Sequence, residues 1–265
     1  MANVIDQPAP AVSRAPVVRA ITFADVKASL LAGVQDFNRA PAIGAFFGAI
    51  YAFGGILILS CVFALDIGYL AYPLFAGSVL IGPFVAAGLY DVSREIEGGR
   101  TPTFSHVMST VFAQRQRELG WMAFVTIFAF IIWMYQVRLL LALFLGFASF
   151  GTLKEFIQVV LHTPDGLSFL AVGHVVGAAL ALGLFSITVV SFPLLMDRDV
   201  DVVTAMITSV QAVLMSPGPM IAFGVTVVAL LVVGALPCLL GLVVVLPVLG
   251  HATWHLYRRA VQPAD

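Results

Sequence analysis

The chain has 265 residues, 61% of them hydrophobic and 10% charged, with a formal net charge of −1 and a mean hydropathy of +1.04. One soluble core of this length cannot hide so much apolar surface, which excludes a soluble globular domain and implies a polytopic membrane protein. The net charge does not name a partner, because charge placement outweighs the sum in a membrane protein; the lipid bilayer is the partner that composition implies, and no nucleic-acid partner is expected.

Residues 1–20 are rich in Ala, Pro and Val, lack the long apolar run of a signal peptide, and read as a flexible cytoplasmic tail. From Thr22 onward, Phe23, Val26, Leu30, Val34 and Phe37 recur at helical spacing while Asp25, Lys27, Ser29 and Asp36 take other faces. That pattern predicts an amphipathic helix lying along the membrane interface. A first span follows Pro41, and a second covers about 69–90, joined by Asp66-Ile67-Gly68; so short a turn makes the two antiparallel neighbours. Gly44 and Gly48 form a GxxxG, as do Gly173 and Gly177, a spacing that permits close helix packing.

After a polar run, Phe104, Val107, Met108, Val111 and Phe112 form another apolar stripe, and a third span begins near Gly120. Gln136 and Arg138 interrupt it, so residues 137–150 either extend the span or lie at the interface; Arg138 reads as a side chain reaching back to the headgroups. A third amphipathic helix (Leu153, Phe156, Ile157, Val160, Leu161) ends at Pro164-Asp165-Gly166, and a fourth span covers about 167–196. The last sixty residues give an amphipathic helix from Val200, a Ser-Pro-Gly-Pro break, and two spans joined at Leu236-Pro237-Cys238. Cys61 and Cys238 fall near the same face; apolar packing is the plain reading and a single bridge the alternative.

The expected fold is therefore all-α: a polytopic transmembrane helical bundle of about six spans, forming one membrane domain over 21–260. Three helix-pair repeats (about 21–92, 102–197 and 200–259) would alternate with interfacial amphipathic helices. Pro83, Pro193 and Pro247 align between the units; four residues later stand Ala87, Asp197 and His251, and eight residues later Asp91, Asp201 and His255. With six spans, eleven of the thirteen Lys and Arg residues share one side, leaving Arg138 and Lys154 on the other, which predicts cytoplasmic N- and C-termini. A seventh span at 139–161 would carry Lys154 and Glu155 through lipid.

The run PFVAAGLYDVSREIEGGRTPTF, within this multi-span layout, resembles an uncharacterised bacterial family of predicted integral membrane proteins, domain of unknown function 2189. The resemblance covers about 20–260 and implies the bacterial inner membrane, without an established activity.

No Walker loop, HExxH, GxSxG or CxxC occurs, so an enzyme is not expected. His251 and His255, one helical turn apart, could ligate a metal or haem iron with His106 as a third ligand, although Trp254, Tyr257, Arg258 and Arg259 around them mark a helix emerging at the headgroups. No cofactor is expected unless that pair binds one. If the units surround a pseudo-threefold axis, Asp91, Asp197, Asp201, His251 and His255 would converge in a polar site at the cytoplasmic mouth, although Asp197 and Asp201 would also suit helix capping. The Tyr90–Arg100 run offers a docking loop through Tyr90, Arg94, Glu95 and Arg100, or else a helix end with a Gly-Gly stop and local ion pairs. The leading functional expectation is an accessory or scaffold protein that binds lipid or another membrane complex, or forms a homo-oligomer. The alternatives are a transporter or channel for an ion or small solute, and a metal-binding membrane protein.

Overall fold

A computed structural model describes residues 16–63, 71–114, 119–146 and 153–263. Eleven helices account for almost all of them: α1 (Phe23–Arg39), α2 (Pro41–Phe63), α3 (Ala71–Glu97), α4 (Phe104–Gln114), α5 (Leu119–Leu145), α6 (Leu153–His162), α7 (Pro164–Thr188), α8 (Ser191–Asp197), α9 (Val202–Met215), α10 (Pro217–Ala235) and α11 (Leu242–Ala260). The local signals behind them are explicit. Thr22 and Asp25 close a capping box on α1. Proline occupies the first position of α2, α7 and α10, where its missing N–H costs no helical bond.

Among the described residues, four stretches are long and apolar enough to cross a membrane: Pro41–Cys61, Gly120–Leu145, Pro164–Asp197 and Pro217–Ala235. This is an integral membrane protein with several apolar helices. α3 and α11 differ from those four, since each ends in a polar segment: Asp91, Ser93, Arg94, Glu95 and Glu97 in one, His251, His255, Arg258 and Arg259 in the other. The ambiguity after Gln136 resolves as one helix, because α5 continues unbroken to Leu145 and carries Arg138 on an exposed face; residues 147–150 lie outside the described residues.

The packed interior gathers at one end. Trp254, Tyr257 and Leu256 of α11, Leu194 of α8, Met122 at the start of α5, and Met220 and Phe223 at the start of α10 are essentially inaccessible. Away from that end, α5, α7 and α10 turn Phe128, Leu143, Val175 and Val228 outward, the surface expected where lipid replaces a protein partner. Between α7 and α8 the helix breaks at Val189–Val190, and Ser209 of α9 accepts the Val190 N–H at 3.1 Å. Residues 16–20 are not all free tail: Val18 pairs with Val261, with Arg19 N–H donating to the Ala260 carbonyl at 2.8 Å and Gln262 N–H to that of Val17 at 2.9 Å.

Two further features refine the sequence reading. Cys61 is buried, Cys238 is exposed, and both are free thiols. On α1, the face turned to the protein is Val26, Ser29, Gly33 and Asp36, whereas Phe23, Leu31 and Val34 face outward. The apolar stripe is thus only partly a packing face. Small and polar side chains let α1 lie close against α11, so close that a methyl group at Gly33 would stand 2.6 Å from the Val248 carbonyl oxygen.

Candidate functional site

The polar ends of α3 and α11 meet with α1, α8 and the start of α4, forming three connected groups. In the first, one helical turn separates His251 and His255, and each reaches a different helix. His255 Nε2 lies 2.7 Å from Asp36 Oδ2 of α1, and His251 Nδ1 lies 2.9 Å from Ser93 Oγ of α3. Ser93 also bonds the Asp36 carboxylate, so the four side chains form a chain, His255–Asp36–Ser93–His251. A carboxylate only accepts; Ser93 therefore donates to Asp36 and accepts from the His251 Nδ1–H. That assignment leaves Nε2 of neutral His251 as a bare acceptor, and it is buried with no hydrogen-bond partner among the described residues, as is Ser29 Oγ nearby on α1. Burial pushes the Asp36 carboxyl up, but the hydrogen bonds from His255 and Ser93 and the charge of the His255 imidazole more than offset it, so its pKa lies below the ordinary carboxylate value.

The second group surrounds Asp91, which is fully buried. Arg94 grips Asp91 Oδ1 and also donates to the Met196 carbonyl of α8 at 3.0 Å. One turn on, Glu95 takes a two-pronged contact from Arg100, Nε to Oε2 and Nη2 to Oε1, each 2.8 Å. That grip, with the positive charges around it, holds the Glu95 carboxyl below its usual range despite desolvation. His106 of α4 stands over both acids, its Nε2 3.7 Å from Asp91 Oδ2 and 3.6 Å from Glu95 Oε1.

The third group ties α8 to the helix ends. Tyr257 donates to Asp197 Oδ2 at 2.5 Å, Arg258 reaches Asp197 at 3.2 Å and Glu97 at 3.0 Å, and Trp254 Nε1 donates to Glu97 at 3.1 Å. Tyr90 stacks on Trp254, ring centroids 6.4 Å apart.

Of the sequence-derived polar site, the structure places Asp91, Asp197 and the pair His251 and His255 in three different groups, on helices α3, α8 and α11 that touch pairwise. Asp201 is the exception: it caps α9, accepting from Thr204 N–H at 2.9 Å, and the Thr204 side-chain and backbone hydrogen bonds lower its pKa. The histidine trio does not form one ligand set, because His251 turns to Ser93, His255 to Asp36, and His106 to the two acids. The docking loop is mostly helix: α3 runs through Tyr90, Arg94 and Glu95 to Glu97, past the expected repeat boundary at 92, and stops at Gly98-Gly99, where Gly99 takes φ +71°. Tyr90 is buried and offers nothing to a partner; Arg94 and Glu95 are engaged inside the protein, and Arg100, though exposed, grips Glu95. Two residues had no role in the sequence reading, Asp36 and Ser93. The signal for Asp36 was present, since Ser29, Gly33 and Asp36 repeat at i, i+4, i+7 and mark a small, polar helix face.

A separate feature lies along the spans. A groove of about 580 Å³ runs between α5 and α7, lined by side chains including Phe128, Trp133, Leu180 and Leu184 together with Gly177 and Gly183.

No curated protein and no solved structure matches the chain. Residues 71–197, which include the Tyr90–Arg100 run and the second acidic group, match the family described as "Predicted integral membrane protein (DUF2189)".

Proposed function

We propose that this is a non-catalytic scaffold protein of the bacterial inner membrane whose α5–α7 pair holds a lipid acyl chain. The observation that carries the reading is the groove between those helices, about 580 Å³ in volume and within the roughly 300–1,000 Å³ typical of small-molecule sites. Such sites ordinarily add a few polar groups that fix orientation. The groove walls are apolar, so its occupant would be selected by shape and apolarity, as a hydrocarbon chain is.

The proposed topology has six spans, with α3 and α11 added to the four long apolar stretches, and with both termini in the cytoplasm. The Val18–Val261 pairing supports an even count, since it holds both described ends side by side. The pairwise contacts of the proline-bearing helices α3, α8 and α11 support a threefold arrangement of helix pairs.

Reconstitution with a phospholipid carrying a diazirine in its acyl chain tests the lipid reading. Label is expected to concentrate on Phe128, Trp133 and Leu184, and Gly183→Phe should abolish it, because nothing lies within 4 Å of a methyl group placed at Gly183 and a larger ring can fill the groove. Equal labelling of the outward α10 residues Val225 and Val232 would contradict a specific site. A second reading, an ion or small-solute transporter, is favoured by the buried His255–Asp36–Ser93–His251 chain, since intramembrane polar networks mark ion and proton paths. Flux in proteoliposomes that disappears with Asp36→Asn would establish it; absence of flux would remove it.

A further inference from the structure

The geometry points to a divalent transition-metal site formed by Asp91, Glu95 and His106, which would pin the start of α4 to the polar end of α3. Asp91 and Glu95 stand one turn apart on α3, His106 comes from α4, and one ligand atom from each lies within 4.8 Å of the others. The donor set is two carboxylates and one imidazole, which suits zinc-like ions rather than calcium or a soft thiophilic metal.

Three observations set this cluster apart from a solvated acidic patch. Asp91 is fully buried, and its Oδ2, the atom facing His106, has no hydrogen-bond partner among the described residues. Leaving a buried carboxylate oxygen unsatisfied is costly, and a bound cation would satisfy it. Both acids also retain coordinating capacity despite their arginines. Arg94 occupies Asp91 Oδ1, and the Arg100 contacts leave each Glu95 oxygen a second lone pair. Finally, the separations of 3.6 and 3.7 Å from His106 Nε2 exceed by only a few tenths the edge of about 3.3 Å in a tetrahedral site with bonds near 2.0–2.1 Å. His106 is half exposed and can swing inward by that much. Three protein ligands leave a fourth position for water.

The full-length protein, purified in detergent and stripped with chelator, is loaded with Zn²⁺ and desalted for metal analysis, and separately loaded with Co²⁺ for its visible spectrum. One equivalent of zinc and a tetrahedral cobalt band are expected. His106→Ala, which removes a half-exposed side chain and should leave the fold intact, lowers affinity about tenfold or more, as does Asp91→Asn. His162→Ala, on a histidine remote in sequence and bonded within α6, retains the metal. Arg100→Ala binds zinc several-fold more tightly, because a competing positive charge leaves Glu95; a cluster held only by ion pairs would not respond in this way. Substoichiometric zinc in the wild type, or undiminished binding in His106→Ala, overturns the site.

Discussion

Asp36 sits at a junction of helices, with one carboxylate answering His255 of α11 and Ser93 of α3 while it is only 3% exposed. Removing its charge leaves the half-buried His255 imidazole without its counter-group, so Asp36→Asn should lower stability by about 2 kcal/mol, less than the roughly 3–5 kcal/mol for breaking one side of a fully buried pair. In thermal unfolding in detergent, Asp36→Asn combined with His255→Ala should cost less than the sum of the single variants, because both remove the same contact. The sign of the pH dependence follows from the lowered carboxyl pKa. Between the folded value and the ordinary value near 4, the unfolded chain binds more protons; the contribution is therefore complete above about pH 4 and is lost as pH falls through the folded value. Wild type should lose stability on acidification in that window, and Asp36→Asn should lose less; identical slopes would contradict the assignment. At this scale the sequence is least informative. Asp36 and His255 are 219 residues apart, and no spacing within either helix indicates that they meet.

At the scale of elements, two similar motifs behave differently. A methyl group at Gly48 would lie 2.5 Å from the Val243 carbonyl oxygen of α11, whereas at Gly173 nothing stands within 4 Å. Gly48→Ala should therefore force α2 and α11 apart and lower the unfolding temperature, while Gly173→Ala should leave it unchanged or slightly raise it through better helix propensity. Equal effects would show that α2 does not approach α11 as described. The GxxxG spacing was visible in both places, but it states only that a close approach is permitted. Similarly, the periodicity of α1 announced a helix and its polarity, but not which face would be inside. In a soluble protein the apolar face turns inward; beside lipid, Phe23, Leu31 and Val34 can remain outside while Ser29, Gly33 and Asp36 pack. Phe23→Ser with Val34→Ser should weaken membrane retention of α1 in liposome flotation without lowering thermal stability, whereas Gly33→Leu should do the reverse.

For the whole molecule, the all-helical class and the apolar spans followed from composition and run length, because a bilayer imposes both. The polar tails of α3 and α11 were harder to place. Charged residues that end a span in sequence are instead packed around Trp254, Tyr257 and Arg94, in a core that only the assembled helices create. The proposed even number of spans rests on the side-by-side ends of the chain and on α5, whose 27 residues reach about 40 Å, enough to carry α6 to the far side of a layer roughly 30 Å thick. The most direct measurement is a pair of reporter fusions, one at residue 152 and one at the C-terminus, scored for periplasmic or cytoplasmic activity. Opposite compartments are predicted, with residue 152 outside and the C-terminus in the cytoplasm; activity in the same compartment for both would contradict the topology and the shared polar end built on it.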